Sequence, residues 1–134
     1  MARRKKTKAS SALLVLPVHN EVSDAPRISK AIRAFLGKNR GISIRVVDDG
    51  STDGTTEAFR SGLMGLKNAS VMALPENGGK GRAVRLGLTG GRQDYWIFMD
   101  GDLAYDFNHV EPMTKALCDH DVVIGSRSMA AQPD

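Results

Sequence analysis

The chain has 134 residues, 41% of them apolar and 25% charged, which suits one soluble core and is too short for two. No apolar run approaches the roughly 20 residues a membrane-spanning helix needs, and the basic N-terminus lacks the apolar stretch of a signal peptide. The net charge of +4 is local: Arg3, Arg4, Lys5, Lys6 and Lys8 lie in the first eight residues, and without them 14 basic residues face 15 acidic ones.

Residues 1–10 are therefore expected to be a solvated, disordered tail, and residues 11–134 the folded domain. Nothing but the tail suggests nucleic acid, and a nucleic-acid partner is not expected. One cysteine, Cys118, cannot form an internal disulfide, so no oxidising compartment is implied and a cytoplasmic protein is expected. Cys118 sits in an amphipathic stretch without an adjacent base and reads as packing.

Ala12 to Val18 is a nearly continuous apolar run, as in a strand buried on both faces. Ile28, Ala31, Ile32, Phe35 and Leu36 form the stripe of an amphipathic helix, with Pro26 near its start. Ile42 to Val47 reads as a second strand. The turn 48–54 follows, with Thr52 or Asp53 as the expected cap of a helix striped by Ala58, Phe59, Gly62, Leu63 and Leu66. Ser70 to Leu74 predicts a third strand, Lys80 to Leu88 a helix ended by Gly90-Gly91, and Tyr95 to Met99 a fourth strand. Val110, Met113 and Leu117 mark a fourth helix, and Val122 to Ile124 a fifth strand. This alternation predicts an α/β fold with a mostly parallel sheet flanked by helices on both faces.

Open sheets of this kind bind ligands beyond the carboxyl ends of their strands. There the chain places Pro17, His19, Asn20 and Glu21, then Asp48 and Asp49, then Asn77-Gly78-Gly79-Lys80-Gly81, then Asp100-Gly101-Asp102, and last Arg127. Asp100 and Asp102, two apart at a strand end, project the same way. Carboxylates about 5 Å apart repel by roughly 3 kcal/mol at an effective dielectric near 20, and a divalent cation reverses that cost. Hard oxygen ligands suit Mg²⁺ or Mn²⁺, and Gly101 lets a ligand approach the backbone. Gly79 and Lys80 open a helix whose N-terminus suits an anion, without a Walker A pattern. Asp48 or Asp49 can cap the next helix or accept hydrogen bonds from a nucleobase or ribose. Arg127 can clamp a diphosphate. His109 and His120 read as surface residues.

In order, LPVHNE (16–21), VVDDGSTDGT (46–55), NGGKGRAVRLGL (77–88), FMDGD (98–102) and VVIGSR (122–127) resemble the signatures of family 2 glycosyltransferases, most closely the polyprenyl- or dolichyl-phosphate mannose and glucose synthases. The resemblance implies the donor-binding half of a Rossmann-like GT-A fold, incomplete at the C-terminus. It implies inverting, metal-dependent transfer of a hexose from a nucleoside diphosphate sugar, GDP-mannose or UDP-glucose, to a lipid phosphate at the cytoplasmic membrane face.

On that resemblance Pro17, Asn20 and Glu21 line the nucleotide pocket, and Asp48 or Asp49 contacts base or ribose. Asp100 and Asp102 hold Mg²⁺ or Mn²⁺ on the donor diphosphate, and Arg127 faces the phosphates. Two positions depart from the pattern. His19 replaces a Tyr in the pocket wall, and Ala104 stands where the polyprenyl-phosphate branch commonly has a Gln beside the metal. An acceptor phosphate is already anionic and needs no general base, whereas a sugar hydroxyl would need one. The isolated chain is expected to transfer sugar weakly or not at all. The alternatives are a non-catalytic sugar-nucleotide-binding or interaction module, and a sugar-phosphate nucleotidyltransferase. The latter should carry a glycine-rich basic loop where this chain has PVHNE.

Overall fold

The computed structural model describes residues 11–101 and 107–125. Four strands, β1 (Ala12–Val18), β2 (Ile42–Asp48), β3 (Ala69–Ala73) and β4 (Tyr95–Phe98), form a parallel sheet in the order β3-β2-β1-β4. The helices are α1 (Ala25–Lys38), α2 (Thr55–Gly62), α3 (Lys80–Leu88) and α4 (Val110–Ala116), the last entered through a 3₁₀ turn at Phe107–His109.

β1 is central, and its period-2 alternation divides the core. Leu14 and Leu16 pack with Ile28, Ile32 and Leu36 of α1, with Phe59 of α2, and with Phe107 and Val110 beyond β4. Leu13 and Val15 face the other way, onto Val47 and onto Ala83 of α3. Both faces of β1 are thus dry, which explains its unbroken apolar run. α3 comes so close that a Cβ on Gly87 would lie 2.7 Å from Val47 Cγ2 and 2.8 Å from Val15 Cγ1. α1 starts with Pro26 in its first turn, where no N–H is needed. Cys118 is partly buried, its Sγ 3.6 Å from the Tyr95 hydroxyl, in keeping with a packing role.

One expectation fails and two hold only in part. Val122 to Ile124 forms no strand; residues 122–125 are irregular, with Val122 and Ile124 75% and 84% exposed. Three apolar residues make a strand only when an existing edge pairs with them, and here β4 is left as the edge among the described residues. Helices flank both faces of the sheet as expected, α1, α2 and α4 on one and α3 on the other, but the cover on the α3 side stops short of β4. Trp96 and Phe98 lie opposite Leu13 and Val15 in register, yet both are 58% exposed, because α3 packs over β1 and β2 and not over β4. Finally, neither Thr52 nor Asp53 stands at the N-cap position of α2, although the Asp53 carboxylate still accepts the N–H of Thr55, the first helical residue, at 3.0 Å. Gly54, at φ 93°, takes the boundary position, since a residue without Cβ enters that conformation at no steric cost.

Candidate functional site

β1 pairs with β2 on one side and with β4 on the other, so the chain changes direction of growth at β1. The β1–β2 crossover runs through α1 on one face and the β3–β4 crossover through α3 on the other, and open sheets bind ligands beyond the carboxyl ends of their strands at such a reversal of strand order. A cleft of about 470 Å³ lies there, lined by Pro17, Val18 and His19 after β1, Glu21, Asp49 after β2, Asn77, Gly79 and Lys80 before α3, and Asp100 and Gly101 after β4.

The walls are built by reciprocal hydrogen bonds between segments far apart in the chain. Asp49 is 5% exposed, and its two oxygens accept the N–H groups of Gly78 and Gly79, each at 2.9 Å. Gly50, at φ 68°, lets the turn approach that loop; a Cβ there would lie 2.4 Å from the Asn77 nitrogen. Asp48 is buried as well. It accepts the Ser51 N–H at 2.9 Å and the Thr56 hydroxyl, and so braces the turn internally.

The segment after β1 grips the same turn. Asn20, at φ 50°, gives its N–H to Ser51 Oγ (2.8 Å) and accepts the Thr52 N–H on Oδ1 (3.0 Å). The Glu21 N–H donates to Thr55 Oγ1 at 2.9 Å, and the Val22 N–H to Asp53 at 3.2 Å. The Thr55 hydroxyl bonded to Asp53, helped by N–H groups, holds the Asp53 carboxyl below its ordinary value of 3.8.

His19 joins three of these segments. Its Nδ1 lies 2.9 Å from the Asp49 carbonyl oxygen, which can only accept, so Nδ1 carries the proton. Nε2 is then the acceptor for the side-chain amides of Asn20 (3.2 Å) and Asn77 (3.1 Å). The family pattern places His19 only in the pocket wall and assigns Asn77 no separate part. The visible signal was a ring nitrogen pair beside one strand end and an amide opening the loop beside another.

Across the cleft, the Lys80 ammonium pairs with Oδ1 of Asp100. Lys80 is the first residue of α3, which has neither an acidic residue in its first turn nor a side-chain cap. The first N–H groups of a helix lack intrahelical partners and favour an anion. Gly101 lines the cleft, and a Cβ there would fall 2.5 Å from the Pro17 carbonyl oxygen, so its lack of a side chain also lets β4 close against β1 at the cleft floor.

Of the residues singled out from sequence, the cleft gathers Pro17, Glu21, Asp49, Gly79, Lys80 and Asp100. Asn20 and Asp48 stand behind its wall, tied to the turn. Asp102, Ala104 and Arg127 lie outside the described residues. No group of three His, Cys, Asp or Glu able to hold a metal occurs among the described residues. Asp100 still fits the role of a cation ligand, since its carboxylate faces the cleft and already carries a positive group there. Mg²⁺ beside a nucleotide characteristically uses one or two carboxylates together with phosphate oxygens. No helix among the described residues is long and apolar enough to cross a membrane.

Comparison with known proteins extends these observations. The sequence profile described as Glycosyl transferase family 2 matches residues 13–133. A dolichyl-phosphate beta-glucosyltransferase of Dictyostelium discoideum is 31% identical over 134 residues, covering 90% of this chain and 41% of that relative. The Homo sapiens protein of the same name is 32% identical over 114 residues, covering 79% and 35%. The chain thus spans less than half the length of either relative. Among solved structures, a mannosyltransferase from Pyrobaculum calidifontis in complex with GDP-Man and Mn²⁺ superposes with a TM-score of 0.59 at 23% identity, over 69% of this chain and 28% of that one. Mannosyl-3-phosphoglycerate synthase from Rubrobacter xylanophilus gives 0.60 at 24% identity, over 77% and 36%. The sheet and its helices therefore have the GT-A architecture of these neighbours.

Proposed function

The chain belongs to glycosyl transferase family 2, and from that premise we propose that its cleft binds a nucleoside diphosphate sugar as the donor part of an inverting hexosyltransferase acting on a polyprenyl or dolichyl phosphate. The observation that carries the reading is the placement of Asp100 and Lys80, one acidic and one basic, across a cleft at the point where the sheet changes direction. A sugar nucleotide needs both signs of charge there: a cation for its diphosphate, and acceptors for its hydroxyl and base N–H groups. The names of the dolichyl-phosphate relatives support a lipid phosphate acceptor and favour a glucosyl donor over a mannosyl one.

In this scheme the diphosphate rests against the first turn of α3, where Lys80 adds a full positive charge. The Gly78 and Gly79 N–H groups are committed to Asp49, so they shape the loop rather than bind phosphate. Asp100, with Asp102, is the ligand set for Mg²⁺ or Mn²⁺. Bound there, the ion supplies Lewis-acid stabilisation of charge on the departing diphosphate; the Mn²⁺ in the Pyrobaculum mannosyltransferase structure supports that choice. An acceptor phosphate oxygen attacks the anomeric carbon as the bond to the diphosphate breaks. The acceptor is anionic near neutral pH and needs no general base. Arg127 would face the phosphates, and the protein would work at the cytoplasmic membrane surface. A nucleotidyltransferase is not favoured, because PVHNE occupies the place of its basic glycine-rich loop.

Calorimetric titration with UDP-glucose and GDP-mannose, with and without Mn²⁺, tests this. Metal-dependent binding should weaken at least about tenfold, or 1.4 kcal/mol, in Asp100→Asn and in Asp102→Ala. Equal binding by the variants and the original chain would remove these carboxylates from the site.

A further inference from the structure

Lys80 is in an unfavourable place for a lysine. It opens α3, where the exposed helix N–H groups already carry partial positive charge, and no acidic side chain in that turn offsets it. Its partner is Asp100 at the end of β4, 20 residues later in the chain. The pair is open to water, with the two side chains 57% and 39% exposed, and open pairs of this kind are weak enough to exchange partners. Around it the cleft lining contributes Glu21, Asp49 and Asp100, and among the described lining residues Lys80 is the only lysine or arginine. Asp49 is already committed to two backbone N–H groups. Asp100 is the lining carboxylate that Lys80 holds, so Lys80 and any other cation that uses Asp100 must compete for it.

We propose that Lys80 is an exchangeable counter-cation, which neutralises Asp100 when no nucleotide is present and transfers to the diphosphate on donor binding, so that Asp100 is released to a divalent ion. The inference rests on the donor-site reading above. Its consequence is a coupling: metal alone binds against Lys80, nucleotide alone binds against Asp100, and each ligand removes the other's competitor. Linkage requires the coupling to be equal in both directions. Removing the ammonium should move the two single-ligand affinities in opposite directions. A lysine that merely touched phosphate would affect nucleotide alone, and one that merely supported the fold would weaken both.

The test uses the full 134-residue chain, with free Mn²⁺ followed by electron paramagnetic resonance and UDP or GDP binding by calorimetry. Lys80→Met and Lys80→Gln should bind Mn²⁺ alone about three- to tenfold more tightly, and UDP or GDP alone about three- to tenfold more weakly. The strengthening of each ligand by the other should shrink in both variants. Unchanged thermal melting would show that neither effect comes from unfolding, and the glutamine variant keeps a polar side chain at the helix start. If either variant binds Mn²⁺ alone no better than the original chain, while Asp100→Asn weakens it, the exchange is overturned and the donor site survives. If Asp100→Asn leaves Mn²⁺ binding unchanged, the metal site fails and the exchange fails with it.

Discussion

Asp49 and Asp53 show how carboxylates in one turn serve the site through backbone N–H groups. Replacing Asp49 by Ala leaves the Gly78 amide without its acceptor and the Gly79 amide with only its longer bond to Asn77 Oδ1, at 3.2 Å. The expected loss is about 2–3 kcal/mol in urea denaturation, with faster hydrogen exchange at those two amides. Asp53 makes a pH-dependent contribution. Its carboxyl titrates below the ordinary 3.8 in the folded chain, because the Thr55 hydroxyl and neighbouring N–H groups favour the charged form. The unfolded state therefore takes up the proton first as pH falls. The contribution is complete above 3.8 and disappears as pH drops through the lower folded value. Denaturation midpoints measured from pH 5 down to pH 2 should fall more steeply for the original chain than for Asp53→Asn.

At the scale of elements, the apolar pattern identified the strands and helices well wherever both faces of a segment are buried. β1 runs over Ala12–Val18 as expected, because every residue from Ala12 to Leu16 meets a core. The pattern was silent on how near α3 would come. Gly87 reads as an ordinary small residue in a helix, where Ala should be better by about 1 kcal/mol. The packing reverses that, since the new methyl would press on Val15 and Val47. Gly87→Ala should destabilise the chain by about 1–3 kcal/mol in chemical denaturation. Stabilisation instead would mean that α3 sits farther from the sheet. The absent fifth strand has the converse cause: Val122 to Ile124 has strand-like residues, but pairing depends on a neighbour that no local pattern encodes.

For the whole molecule, charge and apolar surface separate. The basic excess belongs to the tail, and the remaining 14 basic and 15 acidic residues nearly balance. Deleting residues 1–8 should abolish any salt-sensitive retention on heparin and leave the melting temperature of the domain unchanged. Retention that survived the deletion would locate a basic surface on the folded part. Trp96 and Phe98 form an exposed apolar strip on β4, on the face that α3 leaves open.

The order of signatures along the chain was enough to identify the family and the ends of the strands as the place of the site, because strand–helix alternation and turn chemistry are local properties. It also placed Pro17, Glu21, Asp49, Gly79, Lys80 and Asp100 at one edge, where the cleft gathers them. Only the tertiary structure decided what those groups do to one another: that Asp49 holds the glycine loop, that His19 bridges three segments, and that Lys80 rests on Asp100. Hydrogen bonds and ion pairs depend on distances of about 3 Å between residues tens of positions apart, and no spacing in a linear chain specifies those.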